Sequence, residues 1–518
     1  MKLETRNGSH SPYIALSVVC FGLIIVVLDN SILNIAIPEL SRDLGASTSD
    51  LQWIIDAYTL VYAGIMLTAG ALGDRFGRRR SLFWGVAGFG ASSALASLAH
   101  TATMLTVARG LMGACGAFMT PASLSIVTNL FHDSRERARA IGFWAAASSV
   151  GVVIGPVVGG LLLSHFWWGS VFLVNVPIAI GLLIALPIFV PETKNPGFSS
   201  LDPLGAALSI IAMTTLLWAT IAGPDHGWTS TKVIGGFVIG LFSVAAFIWW
   251  ESTCENPMLD VGFFKIAGFS AATMASTAMV MAWAGTSFIF VQLLQSVLGF
   301  SPLRAGIGLT PVAVVSAVGG LASTPLATRI GRRITITFGL ALQGAGAVLF
   351  LTYQLSGGYW TAITYLLVFS IGQSLVFTQC VASAMDAVPR VRSGVASGAS
   401  NTLRTAGMAF GIAIIGSIMA SSYRSHLTAI GSDLHLPADL VAKAGRSIAS
   451  AVAESKAVGG DTGAALFGAA KDAFVPAFHS AMLVALICCI LGIIVAAIWI
   501  PEKPTHADPD ATRVEPLH

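Results

Sequence analysis

Charged residues are scarce in this sequence of 518 residues: Asp, Glu, Lys and Arg together make up only 10%. A soluble domain carries about 25% of such residues. Hydrophobic residues make up 55% and the mean hydropathy is +0.79. Because soluble cores cannot hold so large an apolar surplus, lipid must cover it. The composition therefore excludes a soluble globular protein and predicts a polytopic all-α membrane protein.

Several motifs are also missing. The six cysteines have no metal-site or disulfide spacing, so we expect no metal. The phosphate-binding pattern GxxxxGK[ST] does not occur, and no glycine precedes a lysine, which disfavours an ATP-driven pump. No filter-like segment is repeated, which disfavours a channel. These absences leave a carrier or a membrane scaffold.

Fourteen segments contain the roughly 20 mostly apolar residues that a membrane-spanning helix needs. They lie at about 12–37, 51–73, 82–100, 104–128, 138–163, 170–190, 203–222, 233–250, 267–292, 304–326, 334–354, 360–384, 393–419 and 477–500. Eighteen basic residues fall in loops on one side of this topology, and only Arg42, Lys232 and Arg304 fall in short loops on the other. Because Lys and Arg favour cytoplasmic loops, we expect both termini in the cytoplasm of a cell-membrane protein.

A repeat divides the chain. The segment Gly73–Arg79, GDRFGRR, matches Ala327–Arg333, ATRIGRR, 254 positions later. Each copy lies between the second and third helix of a set of six, and parallel repeats of this kind form transporters with pseudo-twofold related halves. The predicted domains are a six-helix bundle over 1–190, two inserted helices with linkers over 191–266, a second six-helix bundle over 267–500 and a tail over 501–518.

One predicted external loop, residues 420–476, is long for a helix connection. It is rich in alanine and weakly amphipathic, so we expect a helical hairpin at the outer surface. A lid, a lipid-contacting element and a spacer with no role in transport all fit the sequence.

Four charges lie inside predicted spans and away from their ends: Asp29, Asp56, Arg109 and Arg404. A charge at mid-membrane costs at least about 2.5–3.5 kcal/mol, so it is rare and usually faces a partner or a wet cavity. Counted at 1.5 Å per residue, Asp29 lies about 12 Å from the outer end of its helix, and Asp56 and Arg109 about 8 Å. If the three share a cavity, Arg109 holds one carboxylate ionised while the other exchanges a proton for a lipophilic cation. A static ion pair of Asp29 and Arg109, or an interfacial role for Asp56, fits the same positions.

Two glycine-rich segments are candidate gates. In the fifth helix, Gly151, Gly155 and Gly159 follow one another at intervals of four, which gives a smooth face for close helix contact. Pro156 removes one backbone hydrogen bond there and permits a bend. This face serves helix packing and a pivoting motion equally well.

The second segment is the basic loop between helices two and three. Its candidate gate residues are Gly73, Asp74, Arg75, Gly77, Arg78 and Arg79. Asp74 stands at a helix end, where it can pair with arginines or cap a neighbouring helix. A cytoplasmic latch that holds the outward-facing state shut is one interpretation, and a loop that only sets orientation is the other.

Taken together, these motifs resemble the major facilitator superfamily, specifically its 14-span drug:proton antiporters. The resemblance rests on Leu28–Pro38 in the first helix, Gly70–Arg80 in the basic loop, Arg109, Gly113 and Gly116 in the fourth helix, Gly151–Gly160 in the fifth, and Trp167-Trp168 with Phe172–Pro177 in the sixth. Met112 stands where a glutamine is common. The branch that exports organic cations often has an acid at the position of Asp56. This chain departs from that branch in its tenth and thirteenth helices, which carry no acid, and the thirteenth carries Arg404 instead, so the resemblance does not extend to divalent cations.

The resemblance implies the major facilitator fold with fourteen helices, arranged as six, two inserted and six. It implies a transporter and not an enzyme, driven by the proton gradient without a cofactor, with Asp29, Asp56 and Arg109 as candidates for proton coupling. We expect a monomer that exports amphipathic, cationic compounds. Besides Asp56, the candidate substrate contacts are aromatic and soft side chains of helices two and four: Trp53, Tyr58, Met112, Phe118 and Met119.

The sequence leaves two other functions open. One is a dedicated exporter of a single endogenous metabolite, antibiotic or lipid, and the other is a non-transporting sensor or scaffold on the same fold. The intramembrane charges argue against the scaffold, which has no need of them.

Overall fold

A computed structural model describes residues 11–131, 134–193, 202–254, 257, 261–388 and 393–500. These residues form helices joined by short turns, with no β-strand among them. The helices are α1 Pro12–Leu44, α2 Thr48–Phe76, α3 Arg78–Ser97, α4 Ala102–Leu130, α5 Ser134–His165, α6 Ser170–Leu173, α7 Asn175–Phe189, α8 Pro203–His226, α9 Thr231–Thr253, α10 Ala267–Gln292, α11 Pro302–Gly308, α12 Thr310–Ile330, α13 Arg332–Leu351, α14 Gly358–Asp386, α15 Ser393–Asp433, α16 Ala438–Ala444, α17 Ile448–Val458 and α18 Gly460–Trp499.

Local sequence sets many of the helix ends. Ser11 caps α1 just before Pro12, which suits the first turn because its missing N–H is not needed there. Ser47 and Asp50 form a reciprocal capping box at the start of α2. Gly45, with φ of 62°, ends α1 in the left-handed region that glycine adopts most readily.

Each of the fourteen predicted segments coincides with a helix or with a broken helix. The segment 170–190 is divided between α6 and α7, and 304–326 between α11 and α12. In the described part of the chain, eleven helices are long and apolar enough to cross a membrane. The number fourteen is compatible with this architecture and stays a prediction.

The region 420–476 is helical over most of its length. Helix α15 continues to Asp433 and α18 begins at Gly460, so the connection shortens to 434–459 and holds the short helices α16 and α17. The predicted spans ended where apolar residues became fewer. The early start of α18 follows from its alanine-rich sequence, which is favourable for helix formation in water as well as in lipid.

Two groups of helices pack against each other, and the inserted pair lies at their side. In the first group α1 packs on α4, α5 and α7, and α2 on α4; in the second, α10 packs on α14, α15 and α18. The inserted helices α8 and α9 pack on each other, and α8 also contacts α2 and α15. We name the end with the loops Gly73–Arg80 and Ala327–Arg333 the basic end, and the end with the α1–α2 turn the opposite end.

The opposite end is closed by hydrogen bonds between the two groups. Ser41 of α1 lies 2.7 Å, oxygen to oxygen, from Ser447 in the turn before α17. The backbone N–H and the hydroxyl of Thr48 both donate to the carbonyl of Arg446, at 3.1 and 2.9 Å. The connection 434–459 of the second group therefore seals against α1 and α2 of the first.

The inserted helix α8 joins this closure. Asp225 near its end accepts from Ser49 of α2 at 2.7 Å and pairs with Arg424 of α15 at 2.6 Å. One carboxylate thus ties α8 to both groups of helices at the opposite end.

Candidate functional site

A buried ion pair joins α1 to α4. The Nη1 atom of Arg109 lies 2.5 Å from Oδ2 of Asp29, and both side chains are at most 1% exposed. The other carboxylate oxygen, Oδ1, accepts a hydrogen bond from Nδ2 of Asn175 on α7 at 2.9 Å. Since both oxygens of the acid have donors, the charge of Asp29 is compensated in this state.

Arg109 is fixed by three further contacts. Its Nε donates to the carbonyl of Ile54 at 3.2 Å, and Nη2 donates to Oδ1 of Asn30 at 3.3 Å. The guanidinium also lies 4.4 Å from the ring centroid of Tyr58, a cation–π distance. The contacts come from α1 and α2, so Arg109 holds three helices of the first group together.

Small residues allow α4 to come this close to α2. A Cβ atom on Gly113 would lie 2.3 Å from the carbonyl oxygen of Tyr58, and one on Gly116 would lie 2.8 Å from its hydroxyl. At Gly113 the obstacle is backbone, so no side chain fits there. The glycines of the fourth-helix motif therefore set the α2–α4 separation at which Arg109 contacts Ile54 and Tyr58 of α2.

Sequence reasoning missed the polar side chains that support this pair: Asn30, Ser93 and Asn175. The Nδ2 of Asn175 also donates to Ser93 Oγ at 3.0 Å, and that hydroxyl donates to the carbonyl of Phe172 at 2.9 Å. Burying an unsatisfied amide is costly, so a buried asparagine in an apolar helix indicates a partner. A buried asparagine in an apolar helix was visible in the sequence at Asn175, but the sequence did not show that its partner is Asp29.

Asp56 lies apart from this network. Its side chain is completely buried, and neither carboxylate oxygen has a hydrogen-bond partner within the described ranges. One turn earlier, Gln52 donates to the carbonyls of Ile412 and Ala413 on α15, both at 3.0 Å. One turn later, Leu60 packs in a cluster with Ala413. Because residues four apart share a helix face, Asp56 is on the face of α2 directed toward α15.

The structure thus separates the two acids. Asp29 is paired with Arg109, whereas no described hydrogen bond or ion pair connects Asp56 to Arg109. An ionised carboxylate with no partner in a dry interface would cost several kcal/mol or more. A carboxyl in such an interface is stable as the neutral acid or beside a cation, and a coupling role for Asp56 stays a prediction.

The predicted substrate contacts fall in different environments. Trp53 packs with the α8 and α15 residues of the same cluster as Leu60, while Tyr58 lies against Arg109. Met112 is fully buried in the core of the first group. Met119 and Phe118 both approach Gly85 of α3. A substrate contact for each of the five stays a prediction.

The glycine face of α5 packs on α1 beside Asp29. Added Cβ atoms would lie 3.1 Å from Val27 at Gly151, 2.3 Å from Ser31 Cβ at Gly155 and 3.1 Å from Ile32 Cγ2 at Gly159. The neighbouring Gly160 and Pro156 approach α11 of the second group, where a Cβ on Gly306 would lie 2.1 Å from the carbonyl of Pro156. This part of α5 therefore contacts both groups, as a pivot would, and the pivoting role stays a prediction.

The basic loop is held by an acid that the sequence analysis did not single out. Glu192, which follows α7, accepts from the backbone N–H of Arg79 at 3.0 Å and of Arg80 at 3.3 Å, and so caps the start of α3. Gly77 has φ of 123°, and a Cβ there would lie 2.8 Å from the Glu192 carboxyl carbon. Glu192 belongs to the first group of helices, so this contact holds the loop within that group.

The remaining predicted gate residues surround this contact. The backbone N–H of Arg78 donates to Thr193 O at 3.0 Å, and a Cβ on Gly73 would lie 3.2 Å from Ser81 Oγ. Arg75 is exposed. The side chain of Asp74 lies outside the described residues, so its pairing and the latch between the two groups stay predictions.

Comparison with known proteins agrees with these features. The family model of the Major Facilitator Superfamily matches residues 19–412. The chain is 35% identical over 495 residues to the multidrug efflux pump LfrA of Mycolicibacterium smegmatis, covering 95% of this chain and 96% of that protein. It is 33% identical over 476 residues to the methyl viologen resistance protein SmvA of Salmonella typhimurium, covering 89% and 93%.

A solved structure shares the fold. The crystal structure of a bacterial homolog to the human lysosomal transporter Spinster, in an inward-facing and unoccupied conformation, superposes with a TM-score of 0.68. The match covers 96% of this chain and 99% of that one at 16% identity. At this identity the likeness concerns the fold.

Proposed function

This chain belongs to the major facilitator superfamily, and we propose that it exports lipophilic, cationic drugs or toxic compounds in exchange for protons. It is a multi-pass membrane transporter and not an enzyme. Relatives over nearly the whole chain are a multidrug efflux pump and a methyl viologen resistance protein, which supports drug export. By the distribution of its basic residues, the basic end faces the cytoplasm and both termini lie there.

The observation that carries the proposal is the contrast between the two acids. Asp29 has Arg109 and Asn175 as partners, whereas Asp56 is equally buried and has no hydrogen-bond partner among the residues that the structure describes. A buried carboxyl without a partner is stable only when it is neutral, so Asp56 holds a proton in this state. A site that is neutral with a proton and anionic without it can accept either a proton or an organic cation, which is the requirement for exchange.

The position of Asp56 fits the alternating motion. It faces α15 at the boundary between the two groups of helices, just below the contacts of Thr48 and Gln52 that close the opposite end. Opening of that end separates α2 from the second group and brings water to Asp56. The acid then exchanges its cation for an external proton, and closure returns the neutral acid to the dry interface.

Ethidium efflux from cells or vesicles with an imposed proton gradient tests the proposal. The wild type should extrude ethidium, and an uncoupler should abolish extrusion. Asp56→Asn should lower gradient-dependent efflux at least about tenfold, because an amide can neither release a proton nor pair with a cation. Asp29→Asn should also impair efflux by leaving the Arg109 charge uncompensated.

The matched control is Asp43→Asn on α1, where the carboxylate is exposed and pairs with Arg42 at the surface. It should transport like the wild type. Gradient-dependent efflux that survives both Asp29→Asn and Asp56→Asn would rule out the coupling role. A wild type that extrudes no lipophilic cation would instead favour an exporter dedicated to one metabolite or a protein that does not transport.

A further inference from the structure

Arg404 is a membrane-embedded cation that the transport cycle above does not use. It lies on α15, eleven residues after the described start of that helix and partly buried. Its Nη2 donates to Oδ1 of Asn401 at 2.8 Å, and its guanidinium lies 5.0 Å from the ring centroid of Phe377 on α14. It forms no ion pair with any acid in the part of the chain that the structure describes.

The contrast with Arg109 makes this arrangement unusual. Arg109 is also intramembrane, but it has a carboxylate, an amide and a backbone carbonyl as acceptors. An arginine has five N–H donors, and at Arg404 one of them has an acceptor within the described ranges. Because an intramembrane charge faces a partner or water, the other N–H groups of Arg404 need an acceptor from outside the described residues, such as water or a bound anion.

Arg404 lies at the interface between the two groups of helices. Asn401, its hydrogen-bond partner, also donates through Nδ2 to Sδ of Met66 on α2 at 3.3 Å. Phe377, on which the guanidinium stacks, is 42% exposed. The guanidinium of Arg404 thus contacts one amide, of Asn401, and one ring, of Phe377. Through Asn401 it lies next to the face of α2 that packs on the second group of helices.

Arg404 and Asp56 belong to the same α2–α15 interface. The two helices run antiparallel, with Gln52 against Ala413 at one level and Met66 against Asn401 at another. Asp56 follows Gln52 by four residues and is therefore level with about Ala409. Arg404 lies about five residues nearer the basic end, roughly 8 Å along the helix axis at 1.5 Å per residue. One acid and one base thus stand at two depths of a single interface.

We propose that Arg404 binds an anionic group, such as a carboxylate, on amphipathic substrates whose cationic end binds at Asp56. The transporter then accepts zwitterionic amphiphiles as well as simple cations, with the guanidinium as donor to the anion and the Phe377 ring as the adjacent apolar wall. This inference rests on the proposed export function for its substrate class. The anion subsite itself is a binding property that can be measured without transport.

A pair of dyes that differ by one methyl group tests the subsite. Tetramethylrhodamine is a zwitterion with a free carboxylate, and its methyl ester carries the same cationic ring system without the negative charge. Fluorescence anisotropy with the purified full-length protein in lipid nanodiscs gives the Kd of each dye. In Arg404→Gln the Kd of the free acid should rise about tenfold, because a charge-assisted hydrogen bond is lost. The Kd of the ester should change less than about twofold.

Two variants serve as controls. Arg304→Gln removes an exposed arginine that stacks on Phe300 at 4.1 Å at the opposite end, and both Kd values should stay at the wild-type level. Arg404→Lys keeps the charge and should retain most of the affinity for the free acid. If Arg404→Gln does not fold, Phe377→Leu provides the test, since losing the ring should weaken binding of the acid about two- to fivefold and spare the ester.

The outcomes separate the subsite from the export function. Equal weakening of both dyes in Arg404→Gln would overturn the proposal, because it would indicate a structural role. A wild type that binds neither dye, or only the ester, would overturn it as well. If ethidium efflux still depended on Asp56 in that case, the proposed export function would hold without the anion subsite. If efflux did not depend on Asp56, the proposed export function would be contradicted on its own evidence.

Discussion

The fourth-helix glycine Gly113 offers a sharp test of how the buried pair is positioned. We predict that Gly113→Ala impairs transport although the change adds a single methyl group. The new Cβ would lie 2.3 Å from the carbonyl oxygen of Tyr58. It would also lie 3.0 Å from the carbonyl carbon and 3.0 Å from the Cα atom of that residue. These are backbone atoms of α2, so no flexible side chain can move aside.

The size of the effect follows from this geometry. Ordinary van der Waals contact begins near 3.4 Å, so α4 and α2 must separate by about 1 Å. Arg109 is one turn before Gly113 on α4, and its Nε donates to the carbonyl of Ile54 on α2 at 3.2 Å. A shift of that size takes this contact beyond the range of a hydrogen bond. Weakening such a charge-assisted bond is worth about 1.5–3 kcal/mol, or roughly ten- to a hundredfold in an equilibrium.

Gly110→Ala is the matched control, three residues earlier on the same helix. A Cβ there meets nothing nearer than Val61 Cγ2 at 3.8 Å. Replacing glycine by alanine in a helix interior stabilises the helix by about 1 kcal/mol. At Gly110 no steric clash opposes this gain. At Gly113 the overpacking cost of about 1–3 kcal/mol opposes it.

The assay is initial-rate ethidium efflux together with the melting temperature of the purified protein. Gly110→Ala should transport like the wild type and melt at the same temperature or higher. Gly113→Ala should transport at least about tenfold more slowly. If Gly113→Ala matched Gly110→Ala in both measurements, close approach of α4 and α2 would not be what positions Arg109.

Three further predictions concern other contacts. Glu192→Gln should lower the melting temperature, because the start of α3 loses an anionic cap worth about 0.5–2 kcal/mol; an unchanged melting curve would contradict the capping role. Ser41→Cys combined with Ser447→Cys should form a disulfide, since the two hydroxyls are 2.7 Å apart. Oxidation should stop efflux and reductant restore it, and normal efflux by the cross-linked protein would mean that this contact need not open. Asn175→Leu should reduce efflux about tenfold, because Asp29 loses a hydrogen-bond donor. Efflux at the wild-type rate would contradict this supporting role of Asn175.

Much of the architecture was predictable from the sequence. The prediction of an all-α polytopic protein with the major facilitator fold is confirmed by the helices of the described residues and by the superposition with a solved transporter. The reason is physical: in lipid every backbone N–H and C=O must be satisfied within the segment, so an apolar run of sufficient length has almost no alternative to a helix. Asp29 and Arg109 could be identified for a related reason, because a charge in such a run is costly enough to indicate a role.

Pairing was not predictable in the same way. The sequence placed Asp29, Asp56 and Arg109 at similar depths, and a shared cavity was a natural expectation. The structure pairs Asp29 with Arg109 and directs Asp56 toward α15 instead. Depth along a helix follows from counting residues, but the direction of a side chain around the helix matters only once the neighbouring helices are placed.

The sequence by itself therefore determined which segments are apolar and long enough to form helices of membrane-spanning length, which residues carry charge within them, and which glycines permit close helix contact. Only the tertiary structure decided that Asn175 completes the Asp29 pair, that Glu192 caps α3, and that Arg404 shares an interface with Asp56. Helix formation is local and is enforced by the solvent. Hydrogen bonds between residues more than a hundred positions apart depend on how the helices pack, and no local pattern records that packing.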